Sequence, residues 1–326
     1  MTQIDEAKKI AILLREKKSW NEIGNILNCH PEKARSIFRR YQSDLTGEVS
    51  ALSFFDKQID EDMIYYHRAI PYLEEINAME KEDKYGAYLV ISDLHGQFLN
   101  RKALKYAILQ AKELGIKKVI VNGDLFHADC ISKFGCSRDE ILKEEVEIVS
   151  DILTVLSEYF DKCIIVEGNH DKRLNKMIVN SVPNGVKCLV NDISAIGKTI
   201  ELLSAEVKNK IYFAHCNELK IGTVIFAHPD HFSSIPGRTV MDMIDTYLPV
   251  HRDLTGVVIG HTHYDFKKSY KGVIALETGC LSYEPDYRRG AIKRKDIWVT
   301  SYAIVKIDES GDIDYNNSNV YLIPEV

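Results

Sequence analysis

Five short blocks rich in Asp, Asn and His recur along the chain, and each follows an apolar run that is typical of a buried strand. They occupy residues 92–97, 122–124, 168–171, 227–229 and 260–263. Carboxylate, amide and imidazole groups in this mixture suit divalent first-row metals. Two such metals, separated by ~3.5–4 Å, are bridged best by a carboxylate. The blocks therefore predict a two-metal hydrolase, for which phosphate esters are natural substrates.

An alternation of strands and helices must position these blocks. The sequence predicts strands at 87–91, 118–121 and 163–166, separated by amphipathic helices at 101–114 and 138–160. This alternation is typical of a parallel α/β layer. Further short strands are predicted at 210–213, 223–226, 256–259, 273–276, 298–305 and 319–322. The predicted fold class is therefore α/β, a two-sheet sandwich flanked by helices, with a small N-terminal three-helix module.

The N-terminal segment has a pattern that is typical of three short helices over residues 3–41. Ser19 and Glu22 match a capping box, and Pro31 fits the first position of the third helix. The basic residues of that helix are Lys33, Arg35, Arg39 and Arg40. Over this segment the layout resembles helix-turn-helix DNA-binding modules. The alternative is a docking unit with a solvated basic face.

Charge is spread unevenly over the three predicted parts of the chain. These parts are a helix-turn-helix-like module (1–45), a helical connector (46–84) and a catalytic domain (85–326) that contains the five blocks. The net charge is −6, yet residues 1–45 carry nine Lys or Arg and six Asp or Glu, which gives +3 there and −9 elsewhere. A basic module on an acidic body favours nucleic acid as a partner of residues 1–45.

Composition limits where the chain is expected to work. It is 45% apolar and 28% charged, as in ordinary globular proteins, and no apolar run approaches the ~18–20 residues that span a bilayer. No secretory signal is predicted, because the first residues lack a basic region followed by an apolar stretch. The seven cysteines form no CxxC pair, so reduced thiols and a cytoplasmic location are expected. The sequence leaves the oligomeric state open.

The five blocks resemble the calcineurin-like metallophosphoesterase family, including its phage and bacterial members. The family pattern is DxH, GD, GNH[DE], a His after a strand, and GHxH, and the resemblance spans about residues 85–280. It implies seven metal ligands for two metals. They are Asp93, His95, Asp124, Asn169, His228, His261 and His263.

The resemblance also implies a mechanism. Asp124 would bridge two divalent ions, and a metal-bridging hydroxide would attack the phosphorus in line. His170 would not be a ligand but would face the substrate, as general acid for the leaving oxygen or as stabiliser of developing charge. Asp171 is expected to orient His170. Mn²⁺ is the expected metal, and Fe²⁺, Zn²⁺ and Ni²⁺ also fit the ligand set.

Several neighbouring residues have two interpretations. His228 is favoured as ligand over His215 and His231, which also follow apolar runs, because it closes the strand nearest before the GHxH block. His127 and Asp129 follow the bridging aspartate and either line the substrate cleft or only support the fold.

Two arginine-bearing segments also have two interpretations. Arg173 either holds a substrate phosphate or caps a helix. The turn at 283–290 carries two arginines that either contact phosphate or face solvent. Cys130 and Cys136 are expected to pack rather than to bind metal, because thiolates suit softer sites.

The second block separates possible substrates. The second block of Ser/Thr protein phosphatases continues as Asp-Arg-Gly after GD, whereas here Leu125 and Phe126 follow Asp124, so the arginine expected to hold phosphate is missing. This form is closer to the DNA-repair exonuclease branch, so a nucleic-acid phosphodiesterase is favoured. One alternative is a phosphatase or phosphodiesterase on a small nucleotide-like molecule, with the N-terminal module used for docking or oligomerisation. Another is a non-enzymatic DNA-binding regulator with a degenerate metal domain.

Overall fold

Two short N-terminal helices begin where the sequence predicts them. Helix α1 (Trp20–Ile26) starts at the predicted capping box: the Ser19 hydroxyl accepts the Glu22 N–H at 3.3 Å, and the Glu22 carboxylate accepts the Ser19 N–H at 2.8 Å. Helix α2 (Pro31–Tyr41) follows a tight turn. Both helices contribute to a small core. Its buried residues are Ala7, Ile10, Leu13, Ile23, Ala34, Ile37 and Phe38.

The computed structural model of the chain describes residues 18–41, 85–132, 142–190, 193–283 and 298–324, and six residues between 6 and 14. Its residues divide into two compact units, 1–74 and 75–326. The predicted connector lies outside the described residues, as do the arginines of the predicted turn at 283–290. In the described ranges no helix is both long and apolar enough to cross a bilayer.

Six strands form the first sheet, with four parallel strands at its centre and one edge. In chain order the parallel strands are β1 (Gly86–Ile91), β2 (Lys118–Asn122), β3 (Lys162–Val166) and β4 (Ile211–Ala214). The C-terminal strands β10 (Ser301–Ile307) and β11 (Asn319–Leu322) complete the order β11-β10-β1-β2-β3-β4, in which β10 is antiparallel to both neighbours.

Five strands form the second sheet in the order β5-β6-β7-β9-β8. They are β5 (Glu218–Ile221), β6 (Val224–Ala227), β7 (Gly256–Ile259), β8 (Asp265–Tyr270) and β9 (Val273–Thr278). Strands β6, β7 and β9 are parallel, whereas the edge strands β5 and β8 are antiparallel to their neighbours.

Helices cover the outer faces of both sheets. They are α3 (Arg101–Glu113), α4 (Leu142–Tyr159), α5 (Arg173–Ser181), α6 (Ala195–Leu202), α7 (Ala205–Lys208) and α8 (Arg238–Tyr247). Residues of α3, α4 and α6 pack on the first sheet, and residues of α8 pack on the second. The architecture is the predicted two-sheet α/β sandwich flanked by helices.

The side chains of β1 alternate between the two faces of the first sheet and pack into two different cores. Successive side chains of a strand point to opposite faces, so Tyr88 and Val90 pack between the sheets, whereas Leu89 and Ile91 pack beneath the helices. Each apolar side chain of this size contributes about 1.5–3 kcal/mol when fully buried. The strand is therefore fixed on both faces, and its carboxyl end has a defined position.

The strands that the sequence misses are the two edge strands of the second sheet. β8 has exposed or half-buried side chains along its whole length, and β5 alternates between exposed and buried positions. Neither therefore carries a continuous apolar run. The sequence also does not predict helices α5, α6, α7 and α8, since they are short and lie between loop-like segments.

Candidate metal centre

The carboxyl ends of parallel strands in both sheets meet at one edge of the sandwich. Asp93 follows β1, Asp124 follows β2 and Asn169 follows β3, while His228 and His261 follow β6 and β7. Ligands in open α/β sheets gather outside the carboxyl ends of the strands. The structure accordingly brings all seven predicted ligands together at this edge, which we call the metal-binding edge.

The first group of ligand atoms contains Asp93, His95 and His263, whose atoms lie within 4.8 Å of one another. Oδ1 of Asp93 is 3.0 Å from Nε2 of His263 and 3.8 Å from Nε2 of His95. The other carboxylate oxygen of Asp93 accepts the backbone N–H of His261 at 2.9 Å. Asp93 thus offers one oxygen to the site and uses the other to hold the loop of the last block.

The second group contains Asp124, His228 and His261, whose ligand atoms also lie within 4.8 Å of one another. Oδ2 of Asp124 is 3.2 Å from Nε2 of His228 and 3.9 Å from Nε2 of His95. Oδ1 of Asn169 is 3.3 Å from the same Nε2 of His228. Asp124 therefore reaches both groups, which is the position that a bridging carboxylate requires.

His228 belongs to one of the groups of described side chains that could hold a metal ion. His215 and His231 belong to none of these groups. The other nitrogen of His228, Nδ1, donates to the backbone carbonyl of Asn122 at 2.8 Å, which leaves Nε2 facing the site. The ring of His215 instead packs on Phe213, with 4.0 Å between the ring centroids.

The backbone at this edge adopts the left-handed region at several ligands. The residues are Asp93 (φ 53°), His95 (φ 50°), Asp124 (φ 53°), His261 (φ 72°) and His263 (φ 58°). For a side-chain-bearing residue this conformation costs roughly 1–2 kcal/mol. Gly123 also has positive φ (+87°), and an added Cβ would overlap the His228 ring. The site thus stores backbone strain that packing elsewhere must offset.

The donor set fits divalent cations. Asp93 and Asp124 are fully buried carboxylates that face four imidazoles, and buried charges are stable only when paired or bound to metal. Burial opposes charge on His228, but the Asp124 carboxylate, with Asp93, outweighs it and raises the pKa of His228 to about 10. The carboxylates therefore attract a positive charge to this position. Divalent cations held by oxygen and imidazole nitrogen would supply it.

His170 belongs to neither of these two groups, but with His95 and His127 it forms a third group whose ring nitrogens lie within 4.8 Å of one another. Its backbone N–H donates to Oδ1 of Asp124 at 2.9 Å, and its Nε2 is 4.0 Å from Oδ2 of Asp124. Burial lowers the pKa of His170 to about 4, and the nearby Arg173 guanidinium acts in the same direction. The ring is only partly buried, so it can face a substrate.

Asp171 does not orient the His170 ring, and that prediction is wrong. Its carboxylate accepts backbone N–H groups of Phe126 and Gly168, each at 2.8 Å, and of Leu125 at 3.4 Å. Asp171 therefore ties the loop after β2 to the loop after β3. Burial raises the pKa of this carboxyl to about 7, and the charge of Asp124 adds to the effect.

His127, Asp129 and Arg173, whose roles the sequence left open, form one connected group. Nδ1 of His127 is 3.2 Å from Nδ1 of the ligand His95. Nε2 of His127 is 3.4 Å from Oδ1 of Asp129. Arg173 does not cap a helix: its Nη1 donates to the His127 carbonyl at 2.8 Å and to Asp129 at 3.1 Å.

Sequence reasoning missed two buried glutamates that support the site. Glu145 of α4 accepts the backbone N–H groups of His127 and Ala128. Glu277, at the end of β9, accepts the N–H of Gly237 at 3.0 Å, at the start of α8. Their buried positions within helix and strand patterns are the only signal in the sequence, because neither lies in a block.

Three aromatic side chains that no motif marks lie against histidines of the site. The Trp298 ring is 4.1 Å from the His263 ring, the Phe232 ring is 5.5 Å from His261, and the Phe98 ring is 4.6 Å from His127. Phe232 is 44% exposed, so it offers apolar surface next to the predicted ligand His261.

Comparison with known proteins identifies a family. The family model for calcineurin-like phosphoesterases matches residues 87–265. A metallophosphoesterase from Sphaerobacter thermophilus is 14% identical, with 74% of this chain and 89% of that chain covered and a TM-score of 0.38. An archaeal phosphodiesterase is 12% identical, with 73% and 100% covered and a TM-score of 0.38.

Vacuolar protein sorting 29 from Cryptosporidium parvum is 15% identical, with 73% of this chain and 97% of that chain covered and a TM-score of 0.37. No curated protein matches the chain.

Proposed function

This chain belongs to the calcineurin-like phosphoesterase family and is a metal-dependent phosphoesterase, and from that premise we propose that it is a dinuclear phosphodiesterase that cleaves nucleic acid. The observation that carries the proposal is the position of Asp124, whose carboxylate reaches ligand atoms of both groups. When bound, two divalent cations would activate water and withdraw charge from the phosphoryl group.

The side chains around Asp124 have separate roles in the proposed reaction. The fixed imidazoles and carboxylates require little reorganisation when a phosphate enters. His170, with Nε2 facing Asp124, passes a proton to the leaving oxygen. An anionic phosphate beside His170 favours its protonated form, which opposes the effect of burial on its pKa.

Two features support nucleic acid as substrate. Aromatic rings beside a phosphate site provide surfaces on which bases stack, and Phe232 is exposed next to His261. The N-terminal unit places Lys33 on the exposed side of α2. Its Arg35 lies 5.4 Å from the Trp20 ring centroid and pairs with Glu32, so Lys33 is a better candidate than Arg35 for a phosphate contact.

The proposed metal is Mn²⁺, with Fe²⁺, Zn²⁺ and Ni²⁺ to be compared in the same assay. The proposed location is the cytoplasm. Cys163 and Cys188 are free thiols, as expected in a reducing compartment.

Hydrolysis of labelled oligonucleotides by the full-length protein tests the proposal. Single- and double-stranded DNA, RNA and mononucleotide esters are compared with Mn²⁺ present. Lys33→Gln should weaken oligonucleotide cleavage and reduce its salt dependence, because one phosphate contact is lost. Lys143→Gln, which removes an exposed lysine from α4, is the matched control. Cleavage of mononucleotide esters alone would instead assign a small nucleotide-like substrate.

The contribution of base stacking is measured separately. Phe232→Ala should lower kcat/KM about tenfold on a thymidine dinucleotide and should not change it on the abasic analogue. Tyr315→Ala removes a comparably exposed aromatic side chain and serves as control. Equal losses on both substrates would contradict a stacking role for Phe232.

A further inference from the structure

A cationic segment of the surface begins at the metal-binding edge. Residues 172–190, which we call the α5 arm, contain α5 and the 3-10 helix Asn184–Leu189 that follows it. The arm carries three lysines and one arginine and no carboxylate, whereas residues 46–326 together have a net charge of −9. A stretch of one sign on a body of the opposite sign is typical of a surface that binds a charged partner.

The α5 arm lies entirely at the surface and yet has a defined shape. None of its side chains is buried, and its apolar residues include Met177, which is 42% exposed, and Leu189, which is 67% exposed. The Asn175 side chain ties the arm together, because its amide nitrogen donates to the carbonyls of Val190 at 3.3 Å and Ile193 at 3.2 Å. The surface of the arm is therefore formed before any partner binds.

The lysines of the arm differ from its arginine in how their charge is compensated. Arg173 pairs with Asp129 at 3.1 Å, so its charge is offset within the protein. No carboxylate of the described residues forms an ion pair with Lys172, Lys176 or Lys187, and all three side chains are at least partly exposed. Hydrated ammonium groups of this kind can exchange their counterions for phosphates of a nucleic acid.

The carboxylates that adjoin the arm in sequence are buried. Glu167 is 7% exposed and Asp171 is 1% exposed. Glu167 accepts the Ser194 hydroxyl at 3.3 Å, and Asp171 accepts the Gly168 N–H at 2.8 Å. Both carboxylates thus face protein groups, and they leave the surface of the arm cationic.

Two of the lysines extend from the metal-binding edge along one side of α5. Lys172 follows the predicted ligand Asn169 by three residues, so their Cα atoms are at most ~11 Å apart. The Lys172 N–H donates to the Gly168 carbonyl at 3.3 Å, which fixes the start of the arm to the third block. Lys176 lies one helical turn further, and its N–H donates to the Lys172 carbonyl at 2.9 Å. Residues four apart lie on the same side of a helix.

The third lysine returns to the same part of the arm. The Lys187 carbonyl accepts the Val190 N–H at 3.0 Å, and the Val190 carbonyl accepts the Asn175 side chain at 3.3 Å. Asn175 precedes Lys176 directly in the first half of α5. The end of the arm is therefore held beside the helix that carries Lys172 and Lys176.

We propose that Lys172, Lys176 and Lys187 bind the phosphate backbone of a nucleic-acid substrate beside the scissile phosphate. This inference rests on the proposed function and deepens it, because it requires a polymer that reaches from the metal-binding edge onto the arm. Contacts of lysine with phosphate position the polymer and do not read its bases. The substrate class is therefore an oligonucleotide of any sequence and not a mononucleotide ester.

Salt-dependent binding tests the inference without cleavage. Metal-free full-length protein, kept in chelator, is titrated against a labelled single-stranded oligonucleotide of about 20 nucleotides, which exceeds the usual site size of one binding module. Combining Lys172→Gln with Lys176→Gln should make the slope of log K against log salt concentration shallower by about 1.4, because each contact with a single strand contributes about 0.7. Affinity at about 0.1 M salt should fall roughly 20-fold, and Lys187→Gln should add a further loss of about fivefold.

A matched double variant controls for the change in net charge. Lys112 and Lys117 are exposed and precede the amino end of β2, whereas the metal-binding edge lies at its carboxyl end. Combining Lys112→Gln with Lys117→Gln should leave both the slope and the affinity unchanged. An equal effect of the two double variants would overturn the inference, and so would an unchanged slope in the arm variant.

Cys188 gives a second readout that leaves the three lysines in place. It is an exposed free thiol directly after Lys187. An oligonucleotide that carries an activated disulfide on one phosphate should exchange with the Cys188 thiol, and an excess of unmodified oligonucleotide should suppress the reaction. Cys188→Ser is the control. Cross-linking that the unmodified oligonucleotide does not suppress would overturn the inference, and equal suppression by polyglutamate would instead assign an acidic protein partner to the arm.

The two proposals fail in distinguishable ways. If the arm lysines support binding but the wild type cleaves no oligonucleotide with Mn²⁺, the proposed function fails and the arm remains a nucleic-acid-binding surface. If oligonucleotides are cleaved and the arm variants bind like wild type, only the inference about the arm fails. Absence of oligonucleotide binding by the wild type would overturn both.

Discussion

The N-terminal helical unit and the metal-binding edge are built in opposite ways. At Ser19 and Glu22 the helix start satisfies its backbone groups with its own neighbours, and the local sequence agrees with the local structure. At the edge, Asp93 and Asp124 take left-handed backbone and bury their charges. Stability is therefore local in the first region, whereas the second region is strained and depends on the surrounding sheets.

The largest expected effect comes from removing the shared ligand. Asp124→Ala should lower ester hydrolysis by at least about 10³-fold, since a metal site supplies several kcal/mol of transition-state stabilisation. Bound metal per chain, measured by elemental analysis, should fall in parallel. Asp245→Ala, which removes an exposed aspartate that pairs with Lys271, should leave both quantities unchanged. Full metal occupancy in Asp124→Ala would show that Asp124 is not a ligand.

The strain at the edge can be increased at one glycine. Gly123→Ala adds a Cβ that overlaps His228 and also forces alanine to positive φ. We expect a loss of more than about 3 kcal/mol in the free energy of unfolding. Gly115→Ala, at φ +68° but with open space around it, should cost only about 1–2 kcal/mol. Urea unfolding of both variants gives the comparison, and equal losses would contradict the proposed contact with His228.

The buried carboxyl of Glu277 should make the free energy of unfolding depend on pH. Burial raises the pKa of Glu277 from 4.5 to about 7, so its ionisation opposes folding. The contribution of the protonated Glu277 carboxyl to the free energy of unfolding is fully present below about pH 4.5 and is lost as the pH rises through about 7. Glu277→Gln should therefore gain up to about 3 kcal/mol relative to wild type between pH 5 and pH 8.

Urea unfolding of the metal-free protein at these two pH values measures the gain. Glu206→Gln, at an exposed position in α7, should show no pH-dependent difference from wild type. The same result for Glu277→Gln would mean that Glu277 does not ionise in this range.

The smallest effect is expected at the helix start. Ser19→Ala should cost about 1 kcal/mol of helix stability, because the N–H of Glu22 loses its acceptor. Hydrogen exchange of residues 19–29 in the full-length protein should then be about fivefold faster. Ser36→Ala, on the exposed side of α2, is the control. A loss of ester hydrolysis in Ser19→Ala would contradict the inference that the stability of the N-terminal helical unit is local.

The sequence predicts the sandwich and the gathering of ligands because both depend on strong, repeated patterns. Apolar runs mark the central strands, and the ligands follow those runs directly. The role of Asp171 could not be predicted in this way, because adjacency to His170 in sequence does not give the direction of its side chain. Its carboxylate instead binds the backbone N–H of Phe126 across two loops.

The contacts that support the candidate metal centre could not be predicted from the sequence for a similar reason. Asp129 and Arg173 lie 44 residues apart and belong to different loops, and only folding pairs them. Phe232 lies in an irregular segment, and Trp298, which the sequence places at the start of a predicted strand, precedes β10 (Ser301–Ile307). Neither position in the sequence gives the direction of the ring. Such contacts arise from the meeting of the two sheets, which local pattern does not encode.

The most direct test of the two-metal account is a titration of metal-free full-length protein with Mn²⁺, in which bound metal and hydrolysis of bis-p-nitrophenyl phosphate are followed together. Two ions should bind per chain, hydrolysis should rise as they bind, and chelation should abolish it completely. Absence of metal-dependent hydrolysis with Mn²⁺, Fe²⁺, Zn²⁺ and Ni²⁺, or saturation at one ion per chain, would contradict it.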